Sequence, residues 1–352
     1  MQLPESLILP TGQVDAWDAQ GRKIDKAGTG QDGETGKAFE ADRFTDNGDG
    51  TVLDTLTSLI WLKDADLFNE VTWEEALVKS RKLESDSYGL SDGSKAGDWR
   101  LPNLRELLSL IDYGSSDPII PQGHPFINVQ TAIYWTSTSL LPAARLAWMM
   151  TLGIGPTVFD IKVDNRSRMW PVRNKGASGV LQTGQLPCFD VHGNPVDPAG
   201  SGQDGEMRAG VPLPPASSRF KDNKDGTITD SLTGLTWLRN ANPFGARTWQ
   251  ESLDLCNTLE DGMAGLEDGS KSGDWKLPNI REAESLVDYG EAGPCLPKGH
   301  PFAGLRPSSY WTSTSVTAAP AEAMFIIYGV GPSIFESKEH PFFVWPVKRP
   351  KP

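Results

Sequence analysis

The residues best suited to chemistry are acids in turns and acids beside tryptophan. Asp46-Asn47-Gly48-Asp49-Gly50-Thr51 brings oxygen donors close together, as a calcium loop does. An EF-hand needs oxygens at positions 1, 3 and 5 and a glutamate at 12. Counted from Asp46, positions 3 and 5 are glycines; counted from Asn47 they are Asp49 and Thr51, with no glutamate in place. Asn, Asp and Gly fit turn dihedrals, so a hairpin turn is the preferred reading. Gln31-Asp32-Gly33-Glu34 could also offer carboxylates to a metal and likewise reads as a turn. Asp98 and Asp112, with counterparts Asp274 and Asp288, are the pair to consider for glycoside hydrolysis, which needs two carboxylates facing a cleft. Asp98 sits in a turn and Asp112 at a helix end, so a salt bridge to Arg100 or Lys276 is the plainer account. His124 and His300 recur in Gly-His-Pro-Phe, and four histidines in all are few for a metal site, so a packed turn is expected. No Ser-His-Asp set, zinc motif, phosphate loop or dinucleotide fingerprint is visible. The expectation is a protein that is not an enzyme and has no cofactor, with calcium the one metal considered.

Bulk composition narrows the partners. The net charge of −13 argues against nucleic acid and anionic lipid, both of which call for surplus positive charge. Hydrophobic residues at 38% and charged residues at 22% exclude disorder for most of the chain. No apolar run is long enough to span a membrane, so no membrane insertion is expected. The opening Met1-Gln2-Leu3-Pro4-Glu5 has neither a basic n-region nor an apolar h-region. Cys188, Cys256 and Cys295 all lie in the second half, and an odd count rules out a disulfide framework as the design principle.

The chain is one unit written twice. A shift of 176 aligns residues 43–114 with 219–290 without a gap and with 40 identities in 72 positions. The register continues through Tyr134-Trp135-Thr136-Ser137-Thr138-Ser139 and Tyr310-Trp311-Thr312-Ser313-Thr314-Ser315, and both copies close on Trp-Pro-Val-basic. Upstream, Thr11-Gly12-Gln13 and Gln31-Asp32-Gly33-Glu34 recur 172 positions later. So long a period, present only twice, means tandem domains and not a solenoid. The expected division is 1–176 and 177–352, each repeat carrying an N-terminal extension.

The elements that position these residues repeat as well. Asn47-Gly48-Asp49-Gly50 between alternating segments reads as a hairpin, and Leu59-Ile60-Trp61-Leu62 as a central strand. Trp73, Leu77, Ser80 and Leu83 fall near helical spacing behind Thr72 as N-cap. Asn103 with Glu106, and Asn279 with Glu282, form capping boxes for a second helix, which Gly114 or Gly290 is expected to stop. Strand and loop signals follow. The pattern is α+β with a mainly antiparallel sheet. Five repeated tryptophan pairs read mostly as core pins.

The ordered set Arg-Phe-x-Asp-Asn-x-Asp-Gly-Thr, Leu-Thr-x-Leu-x-Trp, Gly-Asp-Trp-basic-Leu-Pro-Asn, Tyr-Trp-Thr-Ser-Thr-Ser and Trp-Pro-Val-basic resembles the C-terminal domain of the Legionella collagen-like adhesin. It is also similar to the major paralogous domain of Fibrobacter and to variable proteins diversified by retroelements. The resemblance covers both copies. It implies two tandem C-type-lectin-like domains, each with the last strand returning beside the first, acting as exported binding modules without catalysis. Export would place the protein in the periplasm or on the cell surface, its leader absent from this chain. The resemblance further implies ligand contacts between Tyr-Trp-x-Ser-Thr and the final basic strand, here 140–168 and 316–343.

Those late segments are where the two copies diverge most. Trp148-Met149-Met150 faces Met324-Phe325-Ile326, and Val158-Phe159-Asp160 faces Ile334-Phe335-Glu336. Trp148, which Met324 replaces, stands out as an aromatic contact, with buried packing as its alternative. The expected ligand contacts are Arg145, Trp148, Asp160, Lys162, Asn165, Phe325, Tyr328 and Glu336. Asp160, Asp164 and Asn165, or Glu336 and Glu339, could supply a lectin-like calcium site. The expected function is adhesin-like recognition of a glycan or protein ligand through these late loops. A carbohydrate-active enzyme or a structural envelope subunit are the alternatives, and the oligomeric state is left open.

Overall fold

The computed structural model describes residues 7–350. Met1–Glu5, read for a leader, lie outside them. The chain forms two compact units, and they are not the contiguous halves. One unit is Phe39–Leu213, so copy one is completed by the extension that follows it. The other combines Ile8–Ala38 with the chain from Pro214 on, so copy two is completed by the extension at the start of the chain. The division thus departs from 1–176 and 177–352. Sequence similarity marks what repeats, whereas packing decides which extension joins which copy.

Within the first unit, Phe44–Asp46, Thr51–Asp54, Leu59–Leu62 and Val172–Asn174 form a four-stranded antiparallel sheet in that order. The last strand therefore returns beside the third, with Trp61 opposite Val172, and not beside the first as expected. A three-stranded antiparallel sheet follows, of Ile133–Ser139, Leu146–Thr151 and Thr157–Ile161. The second unit repeats the first sheet with Phe220–Asp222, Thr227–Asp230, Thr236–Leu238 and Val347–Lys348. Its second sheet gains Ala246–Arg247 and Phe342–Phe343, the latter lying parallel to Ser309–Ser315.

The helices form where their caps predict. Trp73–Lys82 and Leu104–Ser109 begin at complete capping boxes, Thr72 with Glu75 and Asn103 with Glu106, and copy two matches both. Trp73, Leu77, Ser80 and Leu83 are buried, as the helical spacing requires. The second helix is shorter than expected. It ends at Ser109 before Gly114 is reached, because the chain tightens there: the N–H of Leu110 bonds the Leu107 carbonyl and that of Ile111 the Leu108 carbonyl.

The repeated tryptophans are pins with a second role. Trp73 Nε1 donates to the Thr136 carbonyl at 2.9 Å, Trp135 to Val71 at 3.0 Å and Trp170 to Leu62 at 2.8 Å. Each ring fills the core while its N–H ties two distant strands or loops together. A buried ion pair anchors each first sheet. Arg43 grips Asp54 at 3.0 and 2.7 Å and also reaches the Ser109 carbonyl at 2.7 Å. Arg219 does the same with Asp230 and Ser285, both charges of the pair being fully buried. Removing one partner from such a pair leaves an uncompensated charge in the core. Arg219→Met is therefore expected to lower unfolding free energy by about 3–5 kcal/mol in urea titration. A loss below about 1 kcal/mol would mean that the pair is not what anchors the sheet.

Candidate functional site

An extension completes each unit through the same polar clamps. In the first unit, Gln185 bonds both backbone groups of Ser139, accepting at 2.8 Å and donating at 2.7 Å. Asp204 accepts from the hydroxyls of Thr138 at 2.6 Å and Thr183 at 2.7 Å. Gln203 pins both backbone groups of Phe189 at 2.9 Å, and Glu206 accepts the N–H groups of Gly200 and Gly202. Gln-Asp-Gly-Glu is thus a folding hub opening a short helix, Asp204–Met207, and not a simple turn. Its glycine is required by close approach: a Cβ on Gly205 would lie 2.4 Å from the Leu186 carbonyl oxygen. In the second unit Gln13 clamps Ser315 and Asp32 accepts from Thr314. Burial raises the carboxyl groups of Asp32 and Asp204 to about 6.

Once docked, the extension of the first unit walls a groove of about 820 Å³. Helix Trp73–Lys82 supplies one side, with Trp73, Leu77 and Val78; the hairpin of Cys188–Phe189 and Pro195–Val196 supplies the other. Phe68 and Tyr88 stand at the mouth with ring centroids 5.2 Å apart, edge to face. Tyr88 is 66% exposed and Val78 49%. Lys79 Nζ lies 5.7 Å from the Phe68 ring, and Glu74, Lys82 and Asp190 complete a mixed-charge rim. Such a site offers apolar faces for contact and a few polar groups for orientation. In copy two, Ala264 replaces Tyr88, Asp254 replaces Val78 and Leu255 replaces Lys79. Glu74, Lys82 and Ser87 differ as well, against Gln250, Thr258 and Met263, while Phe68, Trp73, Glu75, Leu77 and Leu83 are kept.

Beneath the Phe189 hairpin lies Lys162. It is 1% exposed, its Nζ 4.0 Å above the Trp73 ring and 2.7 Å from Ser139 Oγ. Burial lowers its amine to about 7. Lys338 repeats the arrangement, 4.0 Å above Trp249 and 3.2 Å from the Trp17 carbonyl, and is likewise lowered to about 7.

Half of the eight expected contacts are buried. Trp148, Lys162, Phe325 and Tyr328 are buried and cannot meet a ligand. Trp148 packs edge to face on Phe159 at 5.7 Å, and the Tyr328 hydroxyl donates to the Ala283 carbonyl at 3.0 Å. Trp148 and Phe325 lie in central strands buried on both faces, which need large side chains, so aromatic type misled. Arg145 and Asp160 are exposed, Asn165 and Glu336 half-buried, and none of the four lines the groove. The extension also packs against one side of the late turn. A Cβ on Gly193 would lie 2.8 Å from the Arg145 nitrogen, and one on Gly21 would lie 2.9 Å from the Ala321 nitrogen.

The acids considered for chemistry serve local structure. Asp98 accepts the Lys95 N–H, and Asp112 accepts Gly114 N–H and Ser115 Oγ–H. Arg100 pairs with Glu106, and Lys276 with Glu34, in place of the expected aspartates. Asp49 accepts both the N–H and the hydroxyl of Thr51, as a turn requires. Among the described residues, no three or more His, Cys, Asp or Glu side chains gather as a metal site. His124 packs on Phe126 and His300 on Phe302, and all three cysteines are buried and free.

The Lcl C-terminal domain family matches residues 50–173 and 226–348. The chain belongs to that family, in two tandem copies. Both matches fall on the repeated scaffold and leave the two extensions outside. No curated protein and no solved structure compared with the chain matches it. Membership associates the chain with adhesin-like domains, and among the described residues no helix is long and apolar enough to cross a membrane.

The buried lysines set a pH dependence. An unfolded lysine titrates near 10.5 and the folded Lys162 near 7, so the unfolded chain holds the extra proton between them. Stability must then rise with pH across that window. Lys162→Met should remove about half of the rise in Tm between pH 7 and 9, Lys338 supplying the rest. An unchanged slope in a thermal melt series would show that the folded amine keeps its proton.

Proposed function

We propose that the protein is a non-enzymatic, adhesin-like binding protein, exported to the periplasm or cell surface, that recognises a glycan in the groove of its first unit. The observation that carries this reading is the open groove flanked by the exposed Tyr88 and Val78. Aromatic faces suit the C–H faces of sugar rings, while Lys79, Lys82 and Glu74 offer charged hydrogen-bonding groups to hydroxyls at the rim. The net charge of −13 weighs against polyanionic ligands. Each copy is read as a C-type-lectin-like scaffold, supported by the closing strand, which returns to the sheet formed by the start of the repeat. Recognition is placed in the groove because it joins exposed aromatic and apolar side chains in one concavity, whereas half of the residues expected in the late segments are buried.

The test compares glycan binding by the full chain with that of Tyr88→Ala and Val78→Asp variants, which copy the residues of the second unit. Ala264 holds φ at +51° just as Tyr88 does, so the loop tolerates alanine. Binding should weaken by about ten-fold or more on truncating a central aromatic. Arg145→Ala and Asp160→Ala should leave it unchanged. The opposite pattern, loss in Arg145→Ala with Tyr88→Ala unaffected, would return recognition to the late loops.

A further inference from the structure

We infer that the face of copy two that receives residues 8–38 is an exchangeable docking surface, whose partner in trans is the same extension of a second copy of this chain. The argument rests on two dockings that share chemistry and differ in connectivity. Residues 177–213 dock on the copy that precedes them, while Ile8–Ala38 dock on a copy that begins far downstream. Yet the main clamps correspond. Gln185 on Ser139 matches Gln13 on Ser315, and Asp204 on Thr138 matches Asp32 on Thr314. Lys162 toward the Asp190 carbonyl matches Lys338 toward those of Trp17 and Asp18. Recognition that survives such a change of tether does not depend on the tether. It is specified by the T-G-Q and Q-D-G-E side chains and the hydroxyls and backbone they meet.

The extension itself is poorly able to stand alone. Its regular structure is a hairpin of two-residue strands and a four-residue helix. Such elements have little core of their own and need an acceptor. In cis the tether holds the extension at an effective concentration on the order of millimolar, which favours closure within one chain in dilute solution. At comparable protein concentration the extension of a second chain competes on equal terms, because the contacts formed are identical. Reciprocal exchange closes a dimer, and one-way exchange makes a chain of copies.

Two differently tagged full-length preparations, unfolded together and refolded from about 1 μM to about 1 mM, test this directly. Doubly tagged dimers should be captured at high concentration and be absent at low, with native circular dichroism. Shortening the crossing by deleting Lys37 and Ala38 should shift the onset to about ten-fold lower concentration, since a strained hinge disfavours closure in cis. Should the deletion impair folding, a labelled peptide of residues 8–38 added during refolding of the full wild-type chain gives an independent reading. The peptide should be incorporated, and Gln13→Ala with Asp32→Ala in the peptide should reduce incorporation by about ten-fold or more. Neither mixed-tag species nor peptide capture at any concentration would overturn the proposal and restrict docking to one chain.

Discussion

Each unit depends on one buried carboxylate held by threonine hydroxyls. Asp204 sits between Thr138 and Thr183, and Asp32 accepts from Thr314. A buried carboxylate without such partners would be costly, and unpaired threonine hydroxyls would be too. Satisfying both at once ties an extension with no core of its own to the end of a seven-residue strand. The glutamine clamps beside it take up both backbone groups of the next residue, Ser139 or Ser315, which lies opposite Ala147 or Ala323 of the neighbouring strand.

Docking has two consequences for the surface. It packs against one side of each late turn, the hairpin backbone coming so near Arg145 and Ala321 that only glycine fits at its own turn. It also opens a new concavity in the first unit, between the hairpin and helix Trp73–Lys82. In copy two the equivalent positions hold Ala264, Asp254 and Leu255, so the scaffold is shared while Tyr88 and the basic lining are not.

Much of the scaffold could be read from local chemistry. Capping boxes, the Asn/Asp/Gly turn and the buried face of Trp73, Leu77 and Ser80 obey rules that operate within a few residues. The tandem domains and the Lcl relationship follow from residue identities alone, and the family match confirms them. The site was less legible. Trp148, Phe325 and Tyr328 look like exposed recognition residues until the strands pair and turn them inward. Tyr88 looks like an ordinary loop residue until Phe68 is brought beside it.

By itself the sequence determined the duplication, the α+β alternation, the helix starts and the tryptophan frame, because each rests on near-neighbour spacing or on self-similarity. Only the tertiary structure decided which extension completes which copy. Gln13 meets Ser315 across 302 positions, and no local periodicity encodes such a pairing. It also decided that Gln-Asp-Gly-Glu is a buried hub, since a polar motif reads as a solvated turn until the threonines that hold its carboxylate are in place.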